Sequence, residues 1–182
     1  MKLALLFIAL FISACASHGP EQKKRGEHRP FSEMKGGCEN YALDLKRDLA
    51  LWDESPAELQ ANLNAEPLPL EKRVKLELQT NTDFLVQPEK TFDLKGPAYA
   101  GVVKFNPPES GVYRVSMGER VWLDVIEVQT KKALQAKRFE MQTKCPKIFK
   151  TVEFELESGK EYALQISSVP NKNTHVLITK VK

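Results

Sequence analysis

From residue 72 onward, apolar and polar residues alternate with a period of two, the pattern of strands that have one buried face. Val74–Leu78 shows this alternation most clearly. Eight further candidate strands follow, and they are Asp83–Gln87, Ala98–Phe105, Val112–Met117, Val121–Val128, Lys132–Arg138, Lys150–Leu156, Glu161–Ser167 and Thr174–Val181. Turn sequences such as Asn106-Pro107-Pro108 and Ser158-Gly159 separate them. About nine short strands without intervening helices predict an antiparallel β-sandwich or jelly roll over residues 72–182.

Residues 38–71 have a different pattern. Within residues 39–53, apolar residues recur at three- and four-residue steps, at Ala42, Leu45, Leu49 and Trp52. This spacing predicts one N-terminal α-helix. Its exposed face would carry Asp44, Lys46, Arg47 and Asp48. Residues 55–63 are expected to add one helical turn, and the prolines at 67 and 69 predict an extended lead-in to the sandwich.

The first residues of the chain form an apolar run. Lys2 precedes ten apolar residues, Leu3–Ile12, which are followed by Ser13 and Ala14. A charged start, a short apolar stretch and small residues are typical of a secretory signal peptide. The run is too short to span a bilayer, because crossing the hydrocarbon core takes about 20 apolar residues.

The next residue makes this prediction more specific. Ile12-Ser13-Ala14-Cys15 resembles the lipobox of bacterial lipoproteins, in which signal peptidase II cuts before a cysteine whose sulfur carries diacylglycerol. The resemblance implies that residues 1–14 are removed and that Cys15 is lipidated, usually also on its new amino group. Two or more acyl chains hold a protein firmly to a membrane. The alternative is an ordinary secretory signal cut near Ala14 or Ala16, with Cys15 unmodified.

Residues 15–37 are rich in glycine, proline and charged side chains, which predicts a flexible tether. Its basic residues would either rest against anionic head groups or only keep the tether solvated. Ala16 after the cysteine is similar to the pattern that permits outer-membrane sorting in Gram-negative bacteria. The expected location is therefore the cell envelope, at the outer membrane if the source is Gram-negative.

Two cysteines remain in the exported part, Cys38 and Cys145. An even pair in an oxidising compartment predicts a disulfide, with two free thiols as the alternative. The closed loop of about a hundred residues would stabilise the fold by roughly 4–5 kcal/mol in the chain-entropy model.

Composition limits the class of partner. Removal of the leader takes away Lys2, which lowers the formal net charge from +3 to +2, and leaves 168 of the 182 residues. That length suits one domain with a hydrophobic core. A nearly balanced charge does not favour nucleic acid as a partner.

The C-terminal half has a second resemblance, which rests on the order of its strands and turns. The pattern consists of Phe105, Ser110–Ser116, Val121–Val125, Phe154–Leu156, Gly159 and Tyr162–Ile166. It is similar to the small β-sandwich domains of the bacterial pre-peptidase C-terminal type, which are accessory domains often suggested to bind sugar or protein. None of their functional residues can be carried over to this chain.

Four residues are candidates for ligand binding. Asp124 and Trp122 share one face of a predicted strand, and Tyr99 and Tyr113 would join Trp122 in an aromatic platform for a carbohydrate. The alternatives are a strand-end carboxylate bonded to a turn and aromatic rings that fill the core. No spacing of histidine, cysteine or glycine indicates a metal, a cofactor, a catalytic nucleophile or a phosphate site. The basic stretch Lys144–Lys150 would touch an acidic partner or would be solvated loop charge.

These observations favour a lipid-anchored binding or scaffolding module of the cell envelope, rather than an enzyme. Its partner would be an envelope protein or polysaccharide, in addition to the membrane that holds the lipid. One alternative is a hydrolase of an envelope polymer with a dispersed active site, and another is a purely structural spacer.

Overall fold

The computed structural model describes residues 27–28 and 30–181. The predicted leader at residues 1–14, the predicted lipidation site Cys15 and most of the predicted tether lie outside the described residues.

The described part of the chain contains eleven strands and one α-helix. The strands are β1 (Glu27–His28), β2 (Ala57–Gln60), β3 (Val74–Glu77), β4 (Tyr99–Phe105), β5 (Gly111–Met117), β6 (Trp122–Glu127), β7 (Lys132–Ala133), β8 (Arg138–Met141), β9 (Lys150–Leu156), β10 (Tyr162–Val169) and β11 (Asn173–Lys180). The helix α1 covers Lys46–Trp52, and single 3-10 turns cover Phe31–Glu33 and Cys38–Asn40.

Hydrogen bonds join these strands into two sheets. The larger sheet has the order β1-β8-β9-β5-β11-β3-β2, and the smaller has the order β4-β10-β6-β7. Neighbouring strands are antiparallel, except that β1 is parallel to β8 and β2 is parallel to β3. The prediction of a mainly β, sandwich-like fold with one N-terminal helix is confirmed.

The main core lies between the two sheets, and the period-two alternation selects the residues that fill it. Val115 and Met117 of β5 belong to the same buried cluster as Leu164 and Ile166 of β10. These four side chains are at most 1% exposed. The opposite faces of both sheets are covered by segments without regular strand structure, and these segments account for most differences from the sequence-based prediction.

The helix is shorter than the predicted 39–53, because α1 begins only at Lys46. Before it, Tyr41, Leu43 and Leu45 are buried and the residues between them are exposed, which is the period of an extended segment. The Tyr41 hydroxyl donates a hydrogen bond to the Ile148 carbonyl (2.9 Å) and fixes this segment against the larger sheet.

The predicted disulfide between Cys38 and Cys145 is present, with Cα atoms 4.5 Å apart. It ties the start of the extended segment to the loop that precedes β9. Part of the predicted tether also belongs to the folded domain, since Met34 is buried. The Gln142 side chain accepts a hydrogen bond from the Gly36 N–H (2.8 Å) and donates to the carbonyls of Glu33 and Asn40.

The exposed helix face predicted from sequence is wrong at Asp48, which is 3% exposed. Arg114 of β5 donates through Nη1 to Asp48 Oδ2 (2.8 Å) and through Nη2 to Glu153 Oε1 (2.8 Å). Thr179 donates to the other Asp48 oxygen (2.6 Å), and Arg114 Nη1 also bonds the Asp44 carbonyl (3.0 Å). The buried guanidinium requires carboxylates beside it, and for that reason a charged helix residue faces the sheet.

Residues 57–60 form strand β2 rather than the predicted helical turn. Ala57 and Leu59 pack against the main core, whereas Glu58 and Gln60 are exposed. Parallel pairing with β3 gives the β2 backbone its hydrogen-bond partners. The alternation was visible in the sequence, but four residues are too few to separate a strand from a helical turn.

Two other predicted strands differ. Lys132–Arg138 is divided, because the chain leaves the smaller sheet after β7 and joins the larger sheet at β8. Asp83–Gln87 is not a strand; Phe84, Leu85 and Val86 pack instead on the outer face of the smaller sheet.

Replacing Asp48 with alanine should destabilise the protein by about 3–5 kcal/mol, because Arg114 would keep its burial and lose one of its carboxylates. Asp44→Ala is the matched control: its exposed side chain only accepts a bond from the Lys46 N–H (3.1 Å), and about 1 kcal/mol should be lost. Urea unfolding of both variants measures the difference. Equal losses would show that the buried network does not fix the helix.

Candidate functional site

Three of the four ligand-binding candidates lie on two different faces of the smaller sheet, and the fourth, Tyr113 of β5, is buried in the main core. Trp122 and Asp124 share their face with Ile126, which belongs to the buried cluster on the outer side. Tyr99 lies on the opposite, inner face, because it packs against the main core together with Val103. The structure therefore brings Trp122 and Asp124 together and leaves Tyr99 outside their site.

Trp122 and Asp124 are bonded to each other, since the indole Nε1 donates to Asp124 Oδ2 (3.0 Å). Both side chains are half-buried. Burial raises the pKa of Asp124, and the hydrogen bond from Trp122 opposes this rise. The charge of Glu89 raises the pKa further, whereas that of Lys150 lowers it. A second carboxylate is thus near Asp124, which the sequence did not reveal because Glu89 lies 35 residues earlier in an irregular segment.

Residues 80–98, the covering segment, lie over this outer face without forming a strand. The buried amide of Gln165 accepts bonds from the Leu85 and Val86 N–H groups (3.1 and 3.4 Å) and donates to the Val86 carbonyl (2.7 Å). The Phe92 N–H donates to the Ser168 hydroxyl (2.8 Å). Long irregular segments in compact domains are usually functional or linkers, and this one is held down at two points.

The covering segment also occupies the aromatic face that the sequence suggested as a platform. The ring of Phe92 meets Trp122 edge-on, with centroids 6.4 Å apart, and Lys90 Nζ lies 5.9 Å from the Trp122 ring centre. Arg120 lies over Phe92 at 4.6 Å. Beneath them, the Ser167 hydroxyl is buried opposite Trp122 and has no hydrogen-bond partner among the described residues.

The sequence places Lys150 at the end of a basic stretch, but in the structure its side chain is buried. Its ammonium donates to the Val121 carbonyl (2.5 Å) next to Trp122. Burial lowers the pKa of Lys150 to about 8, opposed by the charge of Asp124. Its neighbour Lys147 is exposed and forms an ion pair with Asp53 (2.6 Å). Lys150 therefore cannot belong to an exposed basic patch.

Tyr99 borders an open groove of about 510 Å³ at the ends of β2 and β3. A second depression of about 230 Å³ continues from it along the outer side of the same two strands and shares Gln60 and Glu77 with it. Gly101 of β4 lies next to this region, and a Cβ atom there would lie 2.3 Å from the Ala61 side chain and 2.9 Å from that of Leu78, which lines the groove. The close approach of β4 to the residue after β2 thus requires glycine at this position.

Charged side chains in the groove are paired. Glu77 Oε1 lies 2.6 Å from Lys172 Nζ, and Glu58 Oε1 lies 3.1 Å from Lys75 Nζ. The bond from Lys172 lowers the pKa of Glu77, and the bond to Glu77 raises the pKa of Lys172. Nothing in the sequence pattern placed Tyr99 beside these residues, because the groove forms only where β2, β3 and β4 meet.

Among the residues that the structure describes, no group of three histidine, cysteine, aspartate or glutamate side chains could hold a metal ion. In the same part of the chain, no helix has the length and apolar character needed to cross a membrane.

Comparison with known proteins gives little further information. No protein-family model matches this chain, and no curated protein matches it. Among solved structures it is similar to a β-glucosidase from Kluyveromyces marxianus in complex with glucose, with 15% sequence identity and a TM-score of 0.32. The similar part covers 54% of this chain and 12% of the β-glucosidase chain. A likeness of this size carries no argument about function.

Replacing Lys150 with methionine should stabilise the protein at pH 7. A pKa lowered from 10.5 to about 8 corresponds to a penalty of roughly 3 kcal/mol. The unpaired Val121 carbonyl offsets part of this gain, so a net increase of about 2 kcal/mol in the free energy of unfolding is expected.

The same change should alter the pH dependence of stability. Between pH 8 and 10.5 the folded protein has released the Lys150 proton while the unfolded chain still binds it, so the stability of the parent rises with pH. The methionine variant should lack this rise. Chemical unfolding across this range measures it, and Lys147→Met, which removes only an exposed ion pair, should behave like the parent. A methionine variant that keeps the rise would contradict the assignment to Lys150.

Proposed function

We propose that this protein is a lipid-anchored binding module of the cell envelope and that its ligand lies in the groove beside Tyr99. The observation that carries the proposal is the open groove of about 510 Å³, formed where the β2–β3 end of the larger sheet meets the start of β4. The groove is open and lined mainly by polar side chains, so it suits an extended ligand bound at the surface better than a small molecule enclosed in an apolar pocket.

The groove has a rigid foundation. Leu78 at its base is completely buried, and its N–H donates to the Lys172 carbonyl (2.7 Å). The backbones of Gln79 and Ala100 bond each other in both directions (2.9 and 2.8 Å), which joins the end of β3 to β4. Polar side chains that project from fixed strands suit binding, because little ordering remains to be done when a ligand arrives.

The proposed lipid anchor on Cys15 gives a role to the residues that precede the folded domain. Residues Cys15 to Gly26 span at most about 40 Å when fully extended. The tether then joins the folded domain at β1, which pairs with β8, and the burial of Met34 and the bonds to Gln142 hold the residues that follow. A lipid on Cys15 would hold the groove within reach of the envelope components next to the membrane.

Replacing Cys15 with alanine should abolish incorporation of labelled palmitate and move the protein from the membrane fraction to the soluble fraction. Ser13→Thr, which keeps a small residue before the cut site, is the control and should remain labelled. Labelling that persists without Cys15 would contradict the anchor.

A photo-reactive diazirine amino acid at Asn81, in the groove, should form crosslinks in intact cells. The same amino acid at Thr130, an exposed turn residue remote from the groove, should not. Mass analysis of the products identifies the bound component. Equal crosslinking at both positions, or none at Asn81, would contradict binding in the groove.

A second candidate function rests on Asp124. Its pKa is raised by burial, and the carboxylate of Glu89 is close enough to raise it further. Glycosidases use one protonated and one ionised carboxyl group, so this pair favours a hydrolase of an envelope polymer as the alternative. The test is release of soluble fragments from isolated envelope polysaccharide. Release that Asp124→Asn abolishes would favour the hydrolase.

A further inference from the structure

We infer that the ligand of the groove is a neutral glycan chain. This inference rests on the proposed binding function, and it names the chemical class of ligand at that same site. The charges, the side-chain chemistry and the shape of the groove all favour such a ligand.

The charges in the groove cancel locally. Glu77 is paired with Lys172 and Glu58 with Lys75, at 2.6 and 3.1 Å. An ionic ligand would have to compete with these internal pairs, and none of the described residues that line the groove carries an unpaired charge to attract it. A ligand without net charge meets no such competition.

Carboxamides form most of the remaining polar surface. Gln60, Gln79, Asn81 and Asn173 line the two parts of the groove, and all four are exposed. An amide side chain offers both donors and an acceptor, as a sugar hydroxyl does. Several carboxamides in one groove can therefore bond the hydroxyl groups that each sugar unit of a polysaccharide presents.

Tyr99 supplies an aromatic surface. Its side chain is half-buried and packs against the main core, so its position is fixed while part of it remains accessible at the groove. A fixed aromatic ring with a hydroxyl group can contact the C–H face of a sugar and also bond one of its hydroxyls.

The shape favours a chain over a single small molecule. The parts of about 510 and 230 Å³ share Gln60 and Glu77, and both are open to solvent. A peptide is the competing occupant, since β2 is an edge strand. Peptides that add to a sheet edge depend on a run of main-chain bonds, but β2 has four residues and follows Pro56. The larger part of the groove moreover lies at the ends of β2 and β3, and the smaller part lies over outward side chains of the same strands.

The test uses the full lipidated protein in detergent and a panel of oligosaccharides of about five sugars. The neutral members are fragments of dextran, cellulose, mannan and chitin, and the charged members are fragments of polygalacturonate and heparin. Calorimetry or affinity electrophoresis should detect binding to at least one neutral oligosaccharide. Its affinity should be nearly the same at low and high salt, because no net charge is involved.

Tyr99→Ala should weaken that binding by about 10-fold, whereas Tyr99→Phe, which keeps the ring, should change it by less than about 3-fold. Asn81→Ala should also weaken it, and Gln129→Ala, on an exposed turn outside the groove, should not. The phenylalanine and Asn81 variants keep the test meaningful even if Tyr99→Ala affects folding.

Binding only to the charged fragments, neutral binding that the groove variants leave unchanged, or no binding to any member of the panel would each overturn the glycan assignment. A protein or peptide crosslinked to Asn81 in cells, together with a negative panel, would keep the binding module and replace the glycan by a peptide. No crosslink together with a negative panel would reject both.

Discussion

The position of the N-terminal segment depends on one buried cation. Arg114 lies in the middle of the larger sheet, and its guanidinium is paired with Asp48 on the helix and Glu153 on the neighbouring strand. A buried charge that loses a partner is costly, so the helix is held where Asp48 meets Arg114. The Cys38–Cys145 disulfide fixes the other end of the same segment. Together they close the outer face of the larger sheet around β5, β9 and β11.

The outer face of the smaller sheet is covered in a different way. Its outer face is partly polar, and the covering segment satisfies that polarity through Gln165 and Ser168 instead of through strand pairing. Trp122 and Asp124 are therefore half-buried next to Phe92 and are not an open platform. With both outer faces largely covered, the junction of β2, β3 and β4 remains open, and the proposed binding site is located there.

Buried and exposed charges have different consequences in this protein. Arg114 is paired with two carboxylates, whereas the Lys150 ammonium bonds one carbonyl, and burial lowers the pKa of Lys150 to about 8. In the groove, exposed pairs such as Glu77–Lys172 add little stability but leave a surface without net charge. Because the charges at the surface of the groove are paired with one another, the proposed ligand is one without net charge.

The sequence by itself determined the fold class, most strands from β3 onward and the disulfide pair, and its pattern around Cys15 is the basis of the proposed anchor. These features depend on local periodicity and on residue type, which a sequence displays directly. The sequence did not show that Asp48 pairs with Arg114 or that Ala57–Gln60 pairs with β3. Nor did it show that Lys150 is buried, or that Tyr99 and Trp122 lie on opposite faces of the smaller sheet. Each of these depends on contacts between residues far apart in the chain: Asp48 meets Arg114 66 residues away, and the groove exists only where three strands converge. Long-range packing decides which side chains are buried and which share a surface, and for that reason the candidate site required the tertiary structure.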